Sequence, residues 1–222
     1  MAKKKKASKK GRIFSVVASV LLLVVGILSL SMLATPLFKS TSTVTSIVGD
    51  KTVEESQTAY EFMEEMNKEE TSLEDKDAKT SHINNIKITI DTLKENGAED
   101  DDLKYLQNQV AIYDTILIIE ILSGVALGVA LLALILLALN KGTAGFILNL
   151  IAVIAVLAIF ICACITMTNA NALCEFISTE GGLGELISAK TVTQTIAPIA
   201  VLVISLIGTL LGGTFTVLGK KK

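Results

Sequence analysis

Long apolar runs dominate the chain, and four of them reach the length of a membrane span. A bilayer core about 30 Å thick needs roughly 20 apolar residues in a helix that rises about 1.5 Å per residue. The sequence therefore predicts four transmembrane helices, at residues 13–34, 115–139, 144–167 and 195–217. Glu120, in the second run, is the one formal charge among them.

Polar segments flank and separate these runs, and they give the chain its predicted organisation. We expect an all-α membrane protein, a four-transmembrane-helix bundle with a small helical extracytoplasmic domain between the first two spans. The segments outside the spans are a basic arm (1–12), an acidic first outer loop (35–114), a tight cytoplasmic turn (140–143), a second outer loop (168–194) and a basic tail (218–222).

The second half of the first outer loop has the periodicity of two helices. Apolar residues recur there at spacings of three and four, the pattern of one helix face. They are Ile83, Ile86, Ile90 and Leu93, followed by Leu103, Leu106, Val110, Tyr113 and Leu117. The second set leads into the second span, and Asn96–Gly97 between the sets predicts an antiparallel hairpin. Ile86, Ile88 and Ile90 also alternate, so a short strand is the alternative there.

The remaining outer segments have weaker patterns. A third helix is predicted over residues 52–70, with Val53, Tyr60 and Met63 on one face. Because the first outer loop is acidic and nearly free of glycine and proline, we expect it to be helical rather than β, with a polar linker after the third helix. The second outer loop has a Gly-Gly-Leu-Gly centre, and we expect it to lie against the first loop as a short helical cap.

The composition excludes an ordinary soluble domain. Half of the 222 residues (51%) are hydrophobic, only 19% are charged, and the mean hydropathy is +0.60. Buried helices of a soluble protein are the alternative, but helices that are apolar all round need other elements to cover them. Too little of the chain remains to provide that cover.

Basic residues cluster on one side of the predicted spans. The arm holds seven Lys and Arg, the tail holds three Lys, and the tight turn holds Lys141, whereas the first outer loop has eight Lys against eighteen Asp and Glu. Because Lys and Arg beside spans are retained in the cytoplasm, we expect a multi-pass plasma-membrane protein with both termini cytoplasmic. The alternative for the first span is a cleaved signal peptide, but its apolar run exceeds the usual length of about 7–15 residues.

Two polar side chains inside the predicted spans are candidates for function. Glu120 lies near the outer end of the second span, where an acid either reaches interfacial water or lines an ion or proton path. Ser29 and Ser31 of the first span are at a similar depth. Asn149 lies near the inner end of the third span and needs polar partners, from either Ser15 and Ser19 or Thr209 and Thr214.

The predicted spans also contain paired glycines and cysteines. Gly124 with Gly128, and Gly208 with Gly212, have the GxxxG spacing that lets helices approach closely. We expect helix packing within one chain, with a homo-oligomer seam as the alternative. Cys162, Cys164 and Cys174 lie near the outer end of the third span. Apolar packing is the expectation for them, and a Cys164–Cys174 disulfide is the alternative.

No residue pattern of catalysis or ligand binding appears in the sequence. His82 stands alone, and no Ser/His/Asp set, Cys/His pair, glycine-rich phosphate loop or metal-ligand spacing is present. We therefore expect no enzyme activity, no cofactor and no metal. The basic termini are suited to anionic lipid headgroups, and we expect no nucleic-acid partner.

The layout resembles that of claudins, which also have four spans, cytoplasmic termini and a larger first outer loop. The claudin first loop carries a tryptophan-bearing motif and a cysteine pair, whereas this chain has no Trp and no Cys between residues 35 and 114. We therefore assign the chain to no family on its sequence.

Two functions fit these expectations. The first is a non-catalytic scaffold or accessory subunit that binds a membrane or extracytoplasmic protein through its outer helical loop. The alternative is a small oligomeric transporter, channel or holin-like pore. Because the spans offer no continuous polar stripe, the sequence favours the first.

Overall fold

A computed structural model describes residues 9–46, 49–75, 77–139, 141–179 and 188–194, together with Ile207, Leu211 and Thr214. The described chain is predominantly helical, with five helices and two small antiparallel sheets. It divides into two compact units. We call Met1–Met32, Ile118–Cys162 and Ile199–Lys222 the span unit, and Leu33–Leu117 with Ala163–Pro198 the loop unit.

Ten elements follow one another along the described chain. The helices are α1 (Lys9–Leu33), α2 (Ala59–Met66), α3 (His82–Glu95), α4 (Asp100–Ala138) and α5 (Gly142–Thr179). The strands are β1 (Pro36–Ser46), β2 (Gly49–Thr58), β3 (Glu69–Thr71), β4 (Lys79–Ser81) and β5 (Ser188–Gln194).

Three described helices are long and apolar enough to cross a membrane, and they cover the first three predicted spans to within one residue. The qualifying segments are Ile13–Leu33, Asp100–Ala138 and Gly142–Glu175. The chain is therefore compatible with a membrane-spanning protein. The fourth predicted span lies outside the described residues except for Ile207, Leu211 and Thr214, which are helical.

In the span unit, α1, α4 and α5 pack through small and medium side chains. Leu22, Ala130 and Ala152, one from each helix, are fully buried and form a single cluster. Large aliphatic side chains such as Ile27, Ile135 and Ile154 point outward and are exposed. An apolar exterior around a core of small residues is the arrangement that suits lipid-facing helices.

The prediction that residues 52–70 form one helix is wrong. Strands β1 and β2 pair antiparallel, with Val44 opposite Lys51 and Ser40 opposite Glu55, and the helix that follows is only α2. The physical reason lies in the repeated Thr and Val of this stretch, because β-branched side chains lose rotamer freedom in a helix and favour strands. In α2, Met63 is buried, whereas Tyr60 is exposed.

The prediction of a helical cap in the second outer loop is also wrong, although that loop does contact the first one. Helix α5 continues to Thr179, and β5 pairs antiparallel with β1, with Thr41 opposite Thr191. The sheet order is β2-β1-β5, so both predicted outer loops contribute strands to one sheet. The Gly-Gly-Leu-Gly centre lies outside the described residues.

The predicted hairpin of two helices corresponds to α3 and the first part of α4. Gly97 has a φ of +83°, a left-handed conformation that suits glycine after a helix end. Ile83, Ile86 and Ile90 are buried in α3, so the strand alternative is wrong there. Lys87 Nζ lies 3.2 Å from Asp114 Oδ1 and links the two helices.

Candidate functional site

Asn149 joins α5 to α1 inside the span unit. Its Oδ1 accepts a hydrogen bond of 2.7 Å from the Ser19 hydroxyl, and its Nδ2 donates one of 3.0 Å to the Ser15 carbonyl. Asn149 and Ser19 are fully buried. The structure thus brings Asn149 to the serines of the first span. Of the other pair considered, Thr209 lies outside the described residues.

Glu120 is not a buried acid with polar partners. Its side chain is exposed on α4, and no hydrogen bond or ion pair joins it to a described residue. The hydroxyls of Ser29 and Ser31 donate instead to carbonyls of their own helix, those of Val25 and Leu28. The structure therefore does not bring Glu120 together with these serines.

Ser123, one turn along α4 from Glu120, was not singled out by the sequence patterns. It is fully buried, and its Oγ has no hydrogen-bond partner among the described residues. A buried serine in a helix usually donates to the carbonyl four residues earlier. No sequence signal distinguishes Ser123 from the satisfied Ser19 and Ser29.

Among the described glycines, Gly26 and Gly145 are the two that lie at close contacts between helices. A Cβ at Gly26 would lie 2.8 Å from Leu127 Cδ2, and one at Gly145 would lie 2.6 Å from Leu137 Cγ. These positions bring α1 against α4 and α4 against α5. By contrast, Gly124 and Gly128 are exposed, with no described atom within 4 Å of a built Cβ. Gly208 and Gly212 lie outside the described residues.

A second buried polar contact joins α4 and α5 within the loop unit. The Thr115 hydroxyl lies 2.7 Å from the Thr166 hydroxyl, and both side chains are buried. Thr115 Oγ1 also lies 2.7 Å from the Ala111 carbonyl. If Thr115 uses its single proton for that carbonyl, the Thr166 hydroxyl donates to Thr115. This contact was not predicted from the sequence, because threonine is common at the ends of apolar runs and nothing in its spacing marks a partner.

Asn85 organises the polar part of the loop unit. The Nδ2 of this nearly buried amide donates hydrogen bonds to the Thr71 carbonyl at 2.9 Å and to Glu70 Oε2 at 3.3 Å. Its Oδ1 accepts a hydrogen bond of 3.1 Å from the Leu73 backbone N–H. Glu70 Oε1 is 3.0 Å from His82 Nδ1. Two hydrogen bonds lower the pKa of Glu70, the larger effect coming from His82 and the smaller from Asn85. The network fixes the β3–β4 ribbon to α3.

Other contacts fix α2 in the same unit. The Thr58 backbone N–H and hydroxyl donate to Glu61 Oε2 at 2.7 and 3.0 Å, and the Glu61 N–H donates back to the Thr58 hydroxyl at 3.2 Å. This capping box lowers the pKa of Glu61, chiefly through the backbone hydrogen bond. At the other end of α2, Asn67 Oδ1 accepts a 2.9 Å hydrogen bond from the Tyr113 hydroxyl of α4.

The described side chains offer little for covalent or metal chemistry. Cys162, Cys164 and Cys174 are free thiols, of which Cys174 is buried, Cys162 is partly buried and Cys164 is exposed, so the packing expected for all three holds for Cys174 and not for Cys164. Among the described residues, no group of three or more His, Cys, Asp or Glu side chains is placed to hold a metal ion. The loop unit has a folded surface formed by its strands and short helices.

Comparison with protein-family models, curated proteins and solved structures gives no match for this chain.

Proposed function

We propose that the chain is a non-catalytic, four-span protein of the plasma membrane that serves as a scaffold or accessory subunit and binds another protein through its loop unit. In this proposal both termini are cytoplasmic and the loop unit is outside. The segregation of basic residues supports that orientation, with seven in the arm and three in the tail.

The pairing of β1 with β5 is the observation that carries the proposal. It connects a segment that follows α1 to one that follows α5, so residues far apart in sequence form a single sheet. A sheet that closes loops of this length costs considerable chain entropy. A binding role accounts for this cost, because a surface already held in one conformation loses less entropy when a partner binds.

The interior of the span unit also favours binding over transport. Its described buried polar groups are serine hydroxyls and one amide, and no buried Asp, Glu, Lys or Arg occurs among the described residues. Pumps and transporters commonly use ionisable groups within the membrane as relays. Asn149 has both ends of its amide satisfied by α1, which suits a packing role.

An oligomeric pore is the second candidate, and one observation favours it. Glu120, Gly124 and Gly128 follow one another at intervals of four on α4, and all three are exposed. Copies of the chain that met along this face would bring several carboxylates together.

Two measurements on the full chain separate these functions. Photo-reactive residues placed one at a time at Tyr60 and Glu64 in cells should capture the same protein, which should then co-purify in a fixed ratio in mild detergent. In proteoliposomes, the purified chain should give no ion or solute flux. Glu120→Gln, compared with the matched control Glu99→Gln, should leave partner recovery unchanged. Flux that Glu120→Gln abolishes and Glu99→Gln preserves would overturn the proposal in favour of the pore.

A further inference from the structure

Exposed apolar side chains are scarce on the part of the loop unit that lies outside the predicted spans. Among the described residues there, only Tyr60, Leu73 and Leu93 are both large and exposed. Leu73 is 61% exposed, the highest value of the three. Two of them, Leu73 and Leu93, line the same groove, which makes this a concentrated apolar patch on a polar unit.

The groove lies between the turn after β3 and the second half of α3. Its volume is about 420 Å³, and its lining includes three aliphatic side chains, Leu73, Ile88 and Leu93. Three carboxylates also line it, those of Glu74, Asp91 and Glu95. The groove follows two turns of α3, a length suited to a few side chains of a bound segment.

The exposed leucine of the turn is held in a fixed position. The Leu73 N–H donates to Asn85, a nearly buried residue of α3. Next to it, the Ser72 hydroxyl accepts hydrogen bonds of 3.3 and 3.4 Å from the N–H groups of Glu74 and Asp75. The exposure of Leu73 is therefore built into the turn and does not come from a loose loop, so little conformational entropy is lost when a ligand covers it.

The electrostatics of the groove are one-sided. No ion pair joins Glu74, Asp91 or Glu95 to a described residue, whereas Glu54, Glu69 and Glu70 each have a cationic or histidine partner. The described lining contains no lysine. The Thr89 and Thr92 hydroxyls donate to carbonyls of α3, so the carboxylates are its available polar groups. The first outer loop as a whole has eight Lys against eighteen Asp and Glu.

We propose that this groove is the docking site for a cationic amphipathic segment of a protein partner. Aliphatic side chains of that segment pack on Leu73, Ile88 and Leu93, while its lysines or arginines meet Glu74, Asp91 and Glu95. The inference rests on the proposed function and adds the surface and the chemistry of the partner. An anionic lipid surface is disfavoured as the occupant because like charges repel.

The test uses the full chain in nanodiscs of zwitterionic lipid and a short fluorescent peptide of leucine and lysine arranged as an amphipathic helix. Fluorescence polarisation should report binding that weakens as salt is raised. A peptide with glutamate in place of lysine should bind at least about tenfold more weakly. Empty nanodiscs measure association with lipid alone.

Two sets of variants assign the binding to the groove. The triple reversal Glu74→Lys, Asp91→Lys and Glu95→Lys should weaken binding roughly tenfold or more and remove most of its salt dependence. The matched control Glu55→Lys, Glu99→Lys and Asp102→Lys changes net charge equally at exposed positions elsewhere, and it should change affinity by less than about twofold. Leu73→Ser with Leu93→Ser should weaken binding several-fold and leave the salt dependence intact.

Three results would overturn the assignment: equal losses in the groove reversal and the control reversal, equal binding of both peptides, or binding no stronger than that of empty nanodiscs. A dimer that only the groove variants dissociate would instead assign the surface to a second copy of this chain, which also contradicts the proposal. These outcomes are independent of the partner capture and flux measurements. If capture succeeds while the groove variants have no effect, only the groove assignment fails.

Discussion

At the scale of single residues, Asn149 shows how a polar side chain is accommodated in an apolar helix. Its oxygen accepts from Ser19 and its nitrogen donates to the Ser15 carbonyl, so the amide satisfies its main hydrogen-bonding needs without water. Because an unsatisfied amide in hydrocarbon costs several kcal/mol, the contact specifies which faces of α1 and α5 meet.

Asn149→Leu should destabilise the chain by about 0.6–2 kcal/mol, the range for hydrogen bonds between membrane helices. The loss is limited because the Ser19 hydroxyl, 3.1 Å from the Ser15 carbonyl, can donate there instead. Steric-trap unfolding in bicelles measures the change, and a double-mutant cycle with Ser19→Ala measures the coupling. Asn169→Leu is the control, because the hydrogen bond that Asn169 makes to a described residue goes to the Ile165 carbonyl of its own helix. Equal effects of the two leucine substitutions would contradict the interhelical role.

Glycine substitutions provide a second residue-scale prediction. Gly145→Ala should destabilise the chain by about 1–3 kcal/mol, the cost of overpacking. Its new Cβ would lie 2.6 Å from Leu137 Cγ and 3.3 Å from the Ala133 carbonyl oxygen, which cannot move freely. Gly124→Ala, with no described atom within 4 Å, should be neutral or slightly stabilising. Thermal unfolding in detergent compares them. A large loss in Gly124→Ala would show that this face is covered by another helix.

The polar contact was predictable from the sequence, and the glycine contacts were not. Asn149 is conspicuous because an amide in a long apolar run needs a partner, and depth along the spans restricts the choice to a few hydroxyls. Glycine carries no such requirement. The GxxxG spacing of Gly124 and Gly128 indicates a smooth helix face, but only the docking of neighbouring helices decides whether that face is used. In the part of the chain that the structure describes, the glycines in close contact with another helix are Gly26 and Gly145, which have no special spacing.

At the scale of elements, β1 and β5 show why long helices were predictable and short strands were not. A span or an amphipathic helix has a pattern that repeats over many residues, as in α3 and α4. The strand β5 has seven residues, Ser188–Gln194, and its partner is far away in sequence. Its Thr-Val-Thr core favours a strand, but the pairing that stabilises it depends on tertiary structure.

The register of β1 and β5 can be tested with cysteine pairs. Thr41 and Thr191 lie directly opposite each other, and opposed residues of antiparallel strands have Cα separations of about 4.5–5.5 Å, within disulfide range. Thr41→Cys with Thr191→Cys, in a chain without its native thiols, should therefore form a disulfide under mild oxidation, identified by mass spectrometry. Thr41→Cys with Thr193→Cys is the control, since Thr193 pairs with Lys39. Efficient cross-linking in the control pair would refute this register.

The β3–β4 ribbon makes a prediction about pH. Its Glu70 has a pKa below the ordinary value of 4.5, because His82 and then Asn85 donate hydrogen bonds to the carboxylate. A lowered folded-state pKa contributes stability above pH 4.5, and this is lost as pH falls through the folded value. His82→Ala should return the pKa of Glu70 toward 4.5, measured by carbon NMR of the carboxyl group. The pKa of Glu61, lowered by Thr58, should not respond. An unchanged Glu70 titration would show that His82 is not the cause.

At the scale of the whole molecule, the pairing of β1 with β5 constrains how the chain crosses the membrane. Residues before α4 and after α5 meet in one sheet, so if α4 and α5 span a bilayer, both ends of the α4–α5 segment lie on the same side of it. Helices α4 and α5 have 39 and 38 residues, roughly 57–59 Å each, about twice the hydrocarbon thickness. Each therefore has length for one crossing and for a part of the loop unit.

Single cysteines at three positions test both the crossing pattern and the orientation. In a background without the native thiols, an impermeant reagent added to intact cells should label Thr80→Cys in β4 and Thr191→Cys in β5, but not Thr143→Cys. The reason is that Thr143 lies in the first turn of α5, two residues after Lys141, and a basic residue at the end of a span favours the cytoplasm. Labelling of position 143 alone would reverse the orientation and leave the β1–β5 pairing intact. Labelling of only one of positions 80 and 191 would place the two outer loops on opposite sides of the membrane. That result would refute the pairing of β1 with β5, and with it the proposal that the two loops present one binding surface.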